Sequence, residues 1–134
     1  MASQYGNLGT VYITRGELDK AEEFCHKALE INEALGHKEG MASQYGNLGL
    51  VYQTRGELDK AEEFYHKSLE INEALGRKEG MANQYGNLGL VYQTRGELDK
   101  AEKFWKQALS LFESVGAELM VNKVSMMINS LKET

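Results

Sequence analysis

A period of 40 residues constrains this chain more than any other feature of its sequence. The segment MASQYGNLGT at residues 1–10 returns as MASQYGNLGL at 41–50 and as MANQYGNLGL at 81–90. Residues 1–40 and 41–80 differ at five positions, which are Thr10/Leu50, Ile13/Gln53, Cys25/Tyr65, Ala28/Ser68 and His37/Arg77. Such self-similarity predicts a stack of equivalent units, each of which buries its apolar face against the next.

Each unit contains two helical patterns separated by a glycine. In the second unit, the first pattern places an apolar stripe on one face, formed by Met41, Tyr45, Leu48 and Tyr52. The second pattern starts near Leu58, and its apolar arc is broad enough to contact two neighbouring helices; the arc comprises Ala61, Phe64, Tyr65, Ser68, Leu69, Ile71 and Leu75. Four glycines are predicted to end helices in the left-handed conformation, namely Gly36, Gly56, Gly76 and Gly116.

A known family shares the residues that recur in these patterns. They resemble the signature of the tetratricopeptide repeat at Leu8-Gly9, Tyr12, Gly16, Ala21 and Ala28, and again at Leu48-Gly49, Tyr52, Gly56 and Ala61. The 40-residue period resembles the variant found in spindle-orientation adaptors with Leu-Gly-Asn repeats and in kinesin light chain. The resemblance implies a non-catalytic scaffold that holds another polypeptide in a concave groove lined by the first helix of each repeat.

Pattern and resemblance together predict an all-α, right-handed solenoid of three helix-turn-helix repeats with a C-terminal capping helix. The repeats cover residues 1–40, 41–80 and 81–116, the terminal helix covers 117–134, and all of them form one domain over 1–134. The terminal helix carries a stripe suited to packing on the third repeat, formed by Ala117, Met120, Val121, Val124, Ile128 and Leu131. Leu119 and Met126 fall on its outer side.

A second stripe lies opposite the core face of each first helix, and the resemblance places it on the floor of the groove. The candidate peptide-binding residues are Ser3, Asn7, Thr10, Ser43, Asn47, Leu50, Gln53, Asn83, Asn87, Leu90 and Gln93. Stacked repeats would align Asn7, Asn47 and Asn87, and a carboxamide can bind a peptide backbone as both donor and acceptor. The alternative is that these asparagines bond to neighbouring helices and stiffen the array. No Lys or Arg occupies the stripes, which argues against a site that clamps a terminal carboxylate.

Two further sets of polar residues recur. An arginine ends each first helix and is predicted to complement the helix dipole, with a ligand carboxylate as a second use: Arg15, Arg55 and Arg95. Asn32 and Asn72 fall inside the apolar arc, where the third repeat has Phe112. A buried amide needs a partner, and the predicted partner is loop backbone of the next repeat.

No catalytic residue, metal site or cofactor site is predicted. His26 and His66 lie four residues from glutamates, a spacing that fits a surface metal site but is better explained as a solvated row of ion pairs. Lys106 replaces the histidine in the third repeat. Cys25 stands where the other repeats have Tyr65 and Trp105, which predicts a core residue rather than a nucleophile.

Charge and composition limit the partners. With 15 basic and 20 acidic residues, the net charge of −5 disfavours binding to nucleic acid or to an anionic membrane. No apolar run approaches the roughly 20 residues of a membrane span, no export signal is recognisable, and one cysteine fits a cytoplasmic location. The resemblance to the tetratricopeptide repeat implies that the partner is a protein or an extended peptide segment. Two other hypotheses stay open: a structural array that self-associates by end-to-end stacking or domain swapping, and a fragment of a longer array without a ligand of its own.

Overall fold

The computed structural model describes residues 2–132, which form helices joined by short turns. The helices are α1 (Ala2–Arg15), α2 (Leu18–Leu35), α3 (Lys38–Thr54), α4 (Leu58–Leu75), α5 (Lys78–Thr94), α6 (Leu98–Ser114) and α7 (Glu118–Leu131). No strand occurs within the described residues, and the predicted all-α class of three helix pairs and a terminal helix is confirmed. The predicted domain limits at residues 1 and 134 lie outside the described residues, so the single-domain organisation stays a prediction.

Glycines in the left-handed conformation end the first six helices or follow them within two residues. Their φ angles lie between 69° and 83°, at Gly16, Gly36, Gly56, Gly76, Gly96 and Gly116. After α2, the Gly36 N–H donates to the carbonyl of Glu33 at 3.2 Å and the His37 N–H donates to that of Asn32 at 2.9 Å. These bonds satisfy the last carbonyls of the helix, and glycine adopts the required φ without strain.

The chain forms two compact units, one up to Ile71 and one from Asn72 onwards, with the boundary inside α4. In the first unit, α1 packs on α2, and α3 packs on both. In the second unit, α5 packs on α6, and α7 covers another part of α6.

Within each helix pair, a glycine of the first helix faces a buried side chain of the second. A Cβ atom at Gly9 would lie 2.7 Å from Cys25 Sγ, and one at Gly49 would lie 2.5 Å from Cε1 of Tyr65. Gly89 faces Trp105 in the same way. Cys25 is fully buried, so the prediction that it is a core residue is confirmed.

The buried face of the first helices is wider than predicted. In α3, Ala42, Gln44 and Val51 are buried in addition to Leu48 and Tyr52. Two residues of the predicted stripe, Met41 and Tyr45, are only half-buried. Helix α3 contacts its own partner α4 and also the preceding helix α2, so two of its faces are covered.

The predicted apolar arc of α4 is wrong at one residue, which is exposed rather than buried. Ala61, Tyr65, Ser68 and Leu69 are buried, whereas Leu75 is 45% exposed. Leu75 is the last residue of α4, and the chain turns away at Gly76, which leaves this side chain accessible.

The aromatic residues of each repeat contact one another through their rings. The ring centroids of Tyr45 and Phe64 lie 6.0 Å apart, and those of Tyr52 and Phe64 lie 5.3 Å apart. The ammonium groups of Lys67 and Lys60 lie over the two tyrosine rings at 5.6 Å and 5.2 Å. Similar clusters of three rings recur in the first and third repeats. The ring–ring and ammonium–ring distances are in the range of favourable aromatic and cation–π contacts.

The buried asparagines lie against glycines at the start of the next helix. A Cβ at Gly40 would lie 2.5 Å from Cγ of Asn32, and one at Gly80 would lie 2.6 Å from Cγ of Asn72. Asn72 Oδ1 accepts a hydrogen bond from Arg77 Nη1 at 3.4 Å. The predicted pairing with loop backbone stays a prediction. In the third repeat the corresponding pair is Phe112 and Met120, and Met120 packs against the apolar cluster that contains Phe112.

The terminal helix packs as its stripe predicts. Val124 and Ile128 are buried against a cluster that includes Trp105 and Phe112. The remaining stripe residues are partly buried around this cluster: Ala117, Met120, Val121 and Leu131. Leu119 is 86% exposed and Met126 is 71% exposed, as expected for the outer side.

Candidate ligand-binding surface

All the candidate peptide-binding residues are accessible. In α1, Ser3, Asn7 and Thr10 are exposed; in α3, Ser43 and Leu50 are exposed, and Asn47 and Gln53 are half-buried; in α5, Asn83 and Gln93 are exposed, and Asn87 and Leu90 are half-buried. Gln53 contacts Tyr65 of the second helix, and Leu90 packs against the apolar cluster that contains Trp105. The other members of each set lie away from the face that packs on the second helix of the repeat. The helices therefore present these side chains to solvent, and ligand contact by them stays a prediction.

Buried glutamines, which were not among the predicted site residues, orient two of the asparagines. Asn47 Nδ2 donates to Gln44 Oε1 at 3.4 Å, and Asn87 Nδ2 donates to Gln84 Oε1 at 3.5 Å. Gln44 is 6% exposed and Gln84 is 8% exposed. The signal was present in the sequence, because the glutamine recurs three residues before each asparagine. Each Asn carboxamide keeps its oxygen and one N–H hydrogen for another partner.

Gln44 also explains why a glycine, Gly6, precedes Asn7 in α1. A Cβ atom at Gly6 of α1 would lie 2.6 Å from Gln44 Nε2 of α3. The glycine therefore makes room for the glutamine rather than for a ligand. This packing fixes the Gln44 side chain, which in turn contacts Asn47.

Gln53 has a structural partner. The Tyr65 hydroxyl donates to Gln53 Oε1 at 2.5 Å, and burial of this tyrosine raises its pKa. The first repeat has Cys25 and Ile13 at the same two positions, so the hydrogen-bonded pair is replaced by an apolar one. Gln53 is accordingly a weaker ligand candidate than the exposed Gln93.

The hydroxyl groups of the candidate surface are turned toward their own helices. Thr10 Oγ1 donates to the carbonyl of Gly6 at 3.2 Å, and Ser43 Oγ donates to that of Glu39 at 3.3 Å. Both oxygens retain acceptor capacity. A partner of this surface would therefore meet hydroxyl oxygens as acceptors and asparagine carboxamides as both donors and acceptors.

Arg55 joins α3 to α2 rather than serving the end of its own helix as predicted. Its Nη1 donates to Glu22 Oε1 at 2.6 Å, its Nη2 pairs with Asp19, and the Tyr52 hydroxyl donates to Glu22 Oε2 at 2.6 Å. We call Asp19, Glu22, Tyr52 and Arg55 the inter-repeat latch. Side-chain packing between repeats thus uses an arginine that was predicted to serve the helix dipole or a ligand. Arg15 lies over the Tyr12 ring at 5.9 Å, and Arg95 lies over the Tyr92 ring at 5.7 Å.

The latch makes folding sensitive to acid. Hydrogen bonds from Tyr52 and Arg55 hold the pKa of Glu22 below its ordinary value of 4.5. Burial and the same carboxylate raise the pKa of Tyr52 to about 12. Because the Glu22 pKa is lowered on folding, its contribution is complete above pH 4.5 and is lost as pH falls through the folded pKa.

We expect Glu22→Gln to lower the free energy of unfolding at neutral pH by about 1 kcal/mol and to flatten its decline in acid. The control is Glu102→Gln in α6, since Glu102 pairs with Lys106 of its own helix at 3.1 Å. Urea denaturation from pH 3 to 7 measures both effects. Equal pH profiles for the two variants would contradict a role of the latch.

The histidines of the second helices lie near glutamates, and the cysteine is buried. His26 Nε2 lies 3.7 Å from Glu22 Oε2, and His66 Nε2 lies 3.9 Å from Glu62 Oε2. Within residues 2–132, no group of three His, Cys, Asp or Glu side chains is arranged to hold a metal ion. Burial raises the pKa of the Cys25 thiol to about 11, which keeps it protonated at neutral pH.

None of the described helices is both long enough and apolar enough to cross a lipid bilayer.

Solved structures of helical-repeat proteins have the same fold. The TPR domain of Arabidopsis FLU gives a TM-score of 0.78 at 23% identity, covering 84% of this chain and 95% of that one. The chaperone SycD of the Yersinia enterocolitica type III secretion translocator gives 0.80 at 20% identity, covering 98% and 91%. The N-terminal domain of stress-induced protein-1 from C. elegans gives 0.73 at 18% identity, covering 98% and 94%.

Sequence comparison identifies the family. Curated protein sequences give no significant match. The family profile described as tetratricopeptide repeat matches residues 1–74 and again 40–114. Together these matches cover residues 1–114, which include the first two repeats and nearly all of the third. The chain therefore belongs to the tetratricopeptide repeat family.

Proposed function

We propose that this protein is a non-catalytic scaffold that binds an extended segment of another protein on the exposed faces of its first helices. The observation that carries the proposal is the pair of accessible carboxamides on α3 and α5, each oriented by a buried glutamine. A side chain that is already held in place loses less conformational entropy when a ligand binds. Family membership supports a protein-interaction role of this general kind.

The chemistry of the surface points to recognition of main chain rather than of charge. The candidate residues are amides, hydroxyls and the apolar side chains Leu50 and Leu90, without a formal charge among them. Amides can pair with both N–H and C=O groups of an extended backbone, and leucines can cover small apolar side chains. We infer a ligand segment of low charge. We also propose that the repeats are of the 40-residue variant found in Leu-Gly-Asn-repeat adaptors and in kinesin light chain. The proposed location is the cytoplasm.

Replacing either asparagine tests the proposal. We expect Asn47→Ala or Asn87→Ala to weaken peptide binding by about 1–2 kcal/mol, since one ligand hydrogen bond is lost. The probe is a peptide selected against the wild-type chain from a display library, with affinity measured by calorimetry. The control is Asn122→Ala, an exposed asparagine on α7, which should bind as the wild type does.

Thermal denaturation of the same variants separates the two roles considered for these residues. A ligand-binding role leaves the melting temperature nearly unchanged. A lower melting temperature with unchanged affinity would show that the asparagines stiffen the repeats, and the proposal would lose its main support.

A second candidate function is structural self-association. The observation that favours it is the exposure of large apolar side chains on α1 and α7, namely Leu8, Val11, Leu119 and Met126. Light scattering over a range of concentrations measures it. A chain that neither assembles nor selects a peptide would support the remaining hypothesis, a fragment without a ligand of its own.

A further inference from the structure

The exposed face of α1 is equivalent to a face that is fully buried in α3 and α5. Leu8 is 40% exposed and Val11 is 44% exposed. The corresponding residues Leu48, Val51, Leu88 and Val91 are 0% exposed. The face of α1 therefore exposes residue types that are buried at the same positions of α3 and α5.

The polar part of this face is also incomplete. Tyr12 and Arg15 correspond to Tyr52 and Arg55 of the inter-repeat latch. Within residues 2–132, neither one pairs with a carboxylate, and Arg15 contacts the Tyr12 ring instead. One half of a latch is thus present on α1 without the acidic half.

The acidic half recurs on α6. Asp99 and Glu102 correspond to Asp19 and Glu22. Glu102 pairs with Lys106 in its own helix, and in the described part of the chain no ion pair joins either carboxylate to α7. The corresponding position to Tyr52 in the terminal segment is Lys132, which is exposed. A lysine therefore stands where the latch on α2 has its tyrosine.

The apolar part of α6 is covered by α7. Ile128 falls at the position of Leu48 in the repeat and is 7% exposed. Val124 lies one turn earlier and is 2% exposed. The terminal helix therefore takes the place of a first helix for packing, but it does not engage Asp99 and Glu102.

We propose that α6 is a docking site for α1 of a second copy of this chain, and that α7 occupies the apolar part of this site as a built-in competitor. This rests on the self-association candidate and specifies its surfaces. In the complex, Arg15 and Tyr12 bind Asp99 and Glu102, while Leu8 and Val11 replace Ile128 and its neighbours on α6. The contact joins different surfaces on the two copies, so it propagates head to tail. The tether gives α7 a high effective concentration, which suppresses assembly in dilute solution.

Weakening α7 tests the competition. We expect the full chain carrying Ile128→Asp to assemble at a concentration at least about tenfold below that required by the wild type. Light scattering measures both concentrations. Trp105 reports the same site, because it lies in the cluster that α7 covers and is 1% exposed. Its emission should be red-shifted in dilute Ile128→Asp protein and should shift back to the blue as assembly proceeds.

A charge exchange tests the contact itself. In the Ile128→Asp chain, Arg15→Glu and Glu102→Arg should each weaken assembly about tenfold, since each breaks a charged hydrogen bond. The two together should restore it, because the opposite charges meet again across the interface. Lys123→Glu, an exposed charge reversal on α7, is the control and should have no effect.

The outcomes separate this proposal from the wider ones. Assembly that ignores Arg15→Glu, or that the charge exchange does not restore, overturns this site while leaving self-association standing. Absence of assembly in every variant overturns both. If Ile128→Asp lacks native helix content, Val124→Ala with Ile128→Ala replaces it, and the charge exchange is read in that background. Peptide binding at Asn47 uses another face and is unaffected by any of these results.

Discussion

Trp105→Ala is expected to lower the free energy of unfolding by about 3–5 kcal/mol, because the ring fills the core of the second unit. The side chain is 1% exposed, lies against Gly89, and donates from Nε1 to the Gly86 carbonyl at 3.0 Å. Its removal leaves a cavity that the facing glycine cannot fill. Denaturation in guanidinium, followed by circular dichroism, measures the loss.

The first repeat supplies a control at the equivalent position. Cys25→Ala removes one sulfur atom from a site that is equally buried, so we expect a loss of about 1 kcal/mol. The size of the second-helix side chain, facing a glycine in each repeat, then explains the difference. Similar losses for the two variants would mean that Trp105 is not the main contact between α5 and α6.

Gly80→Ala is expected to lower the free energy of unfolding by about 2–4 kcal/mol, because the added methyl group meets the buried carboxamide of Asn72. A Cβ at this position would lie 2.6 Å from Asn72 Cγ. Asn72 is 2% exposed, and moving it breaks its hydrogen bond with Arg77. Thermal denaturation measures the effect.

A second glycine of the same helix is the matched control. Among the described residues, a Cβ atom at Gly86 would meet no neighbouring side chain or helix within 4 Å. Gly86→Ala should therefore raise the free energy of unfolding by up to about 1 kcal/mol through helix propensity. Opposite signs for the two substitutions are the expected result. A neutral or stabilising Gly80→Ala would show that Asn72 moves aside freely, and the asparagine–glycine pair would then have no structural role.

This pair also explains a difference between the repeats. Phe112 and Met120 stand where the earlier repeats have asparagine and glycine, and Met120 of α7 packs against the apolar cluster that contains Phe112. The two positions change together because they face each other across the turn. The terminal helix therefore packs through apolar side chains at the position where the earlier repeats place a buried asparagine against a glycine.

Local spacing in the sequence was enough to predict the helices, their ends and the cap. The 40-residue period defined the repeats, and the glycines after the helices adopt the positive φ expected of them. Val124 and Ile128 pack as their stripe predicts, since residues three to four apart share one face of a helix. The accessible faces of the first helices were predicted by the same rule.

Only the tertiary structure decided which groups engage each other. Gln44 is buried because α1 and α3 meet at Gly6, and Arg55 serves packing because Asp19 and Glu22 lie across from it, more than 30 residues earlier in the chain. Leu8 and Leu48 occupy the same position in repeats of nearly the same sequence, yet one is exposed and the other buried. Periodicity assigns a residue to a face of its helix, but burial and pairing depend on whether another helix covers that face.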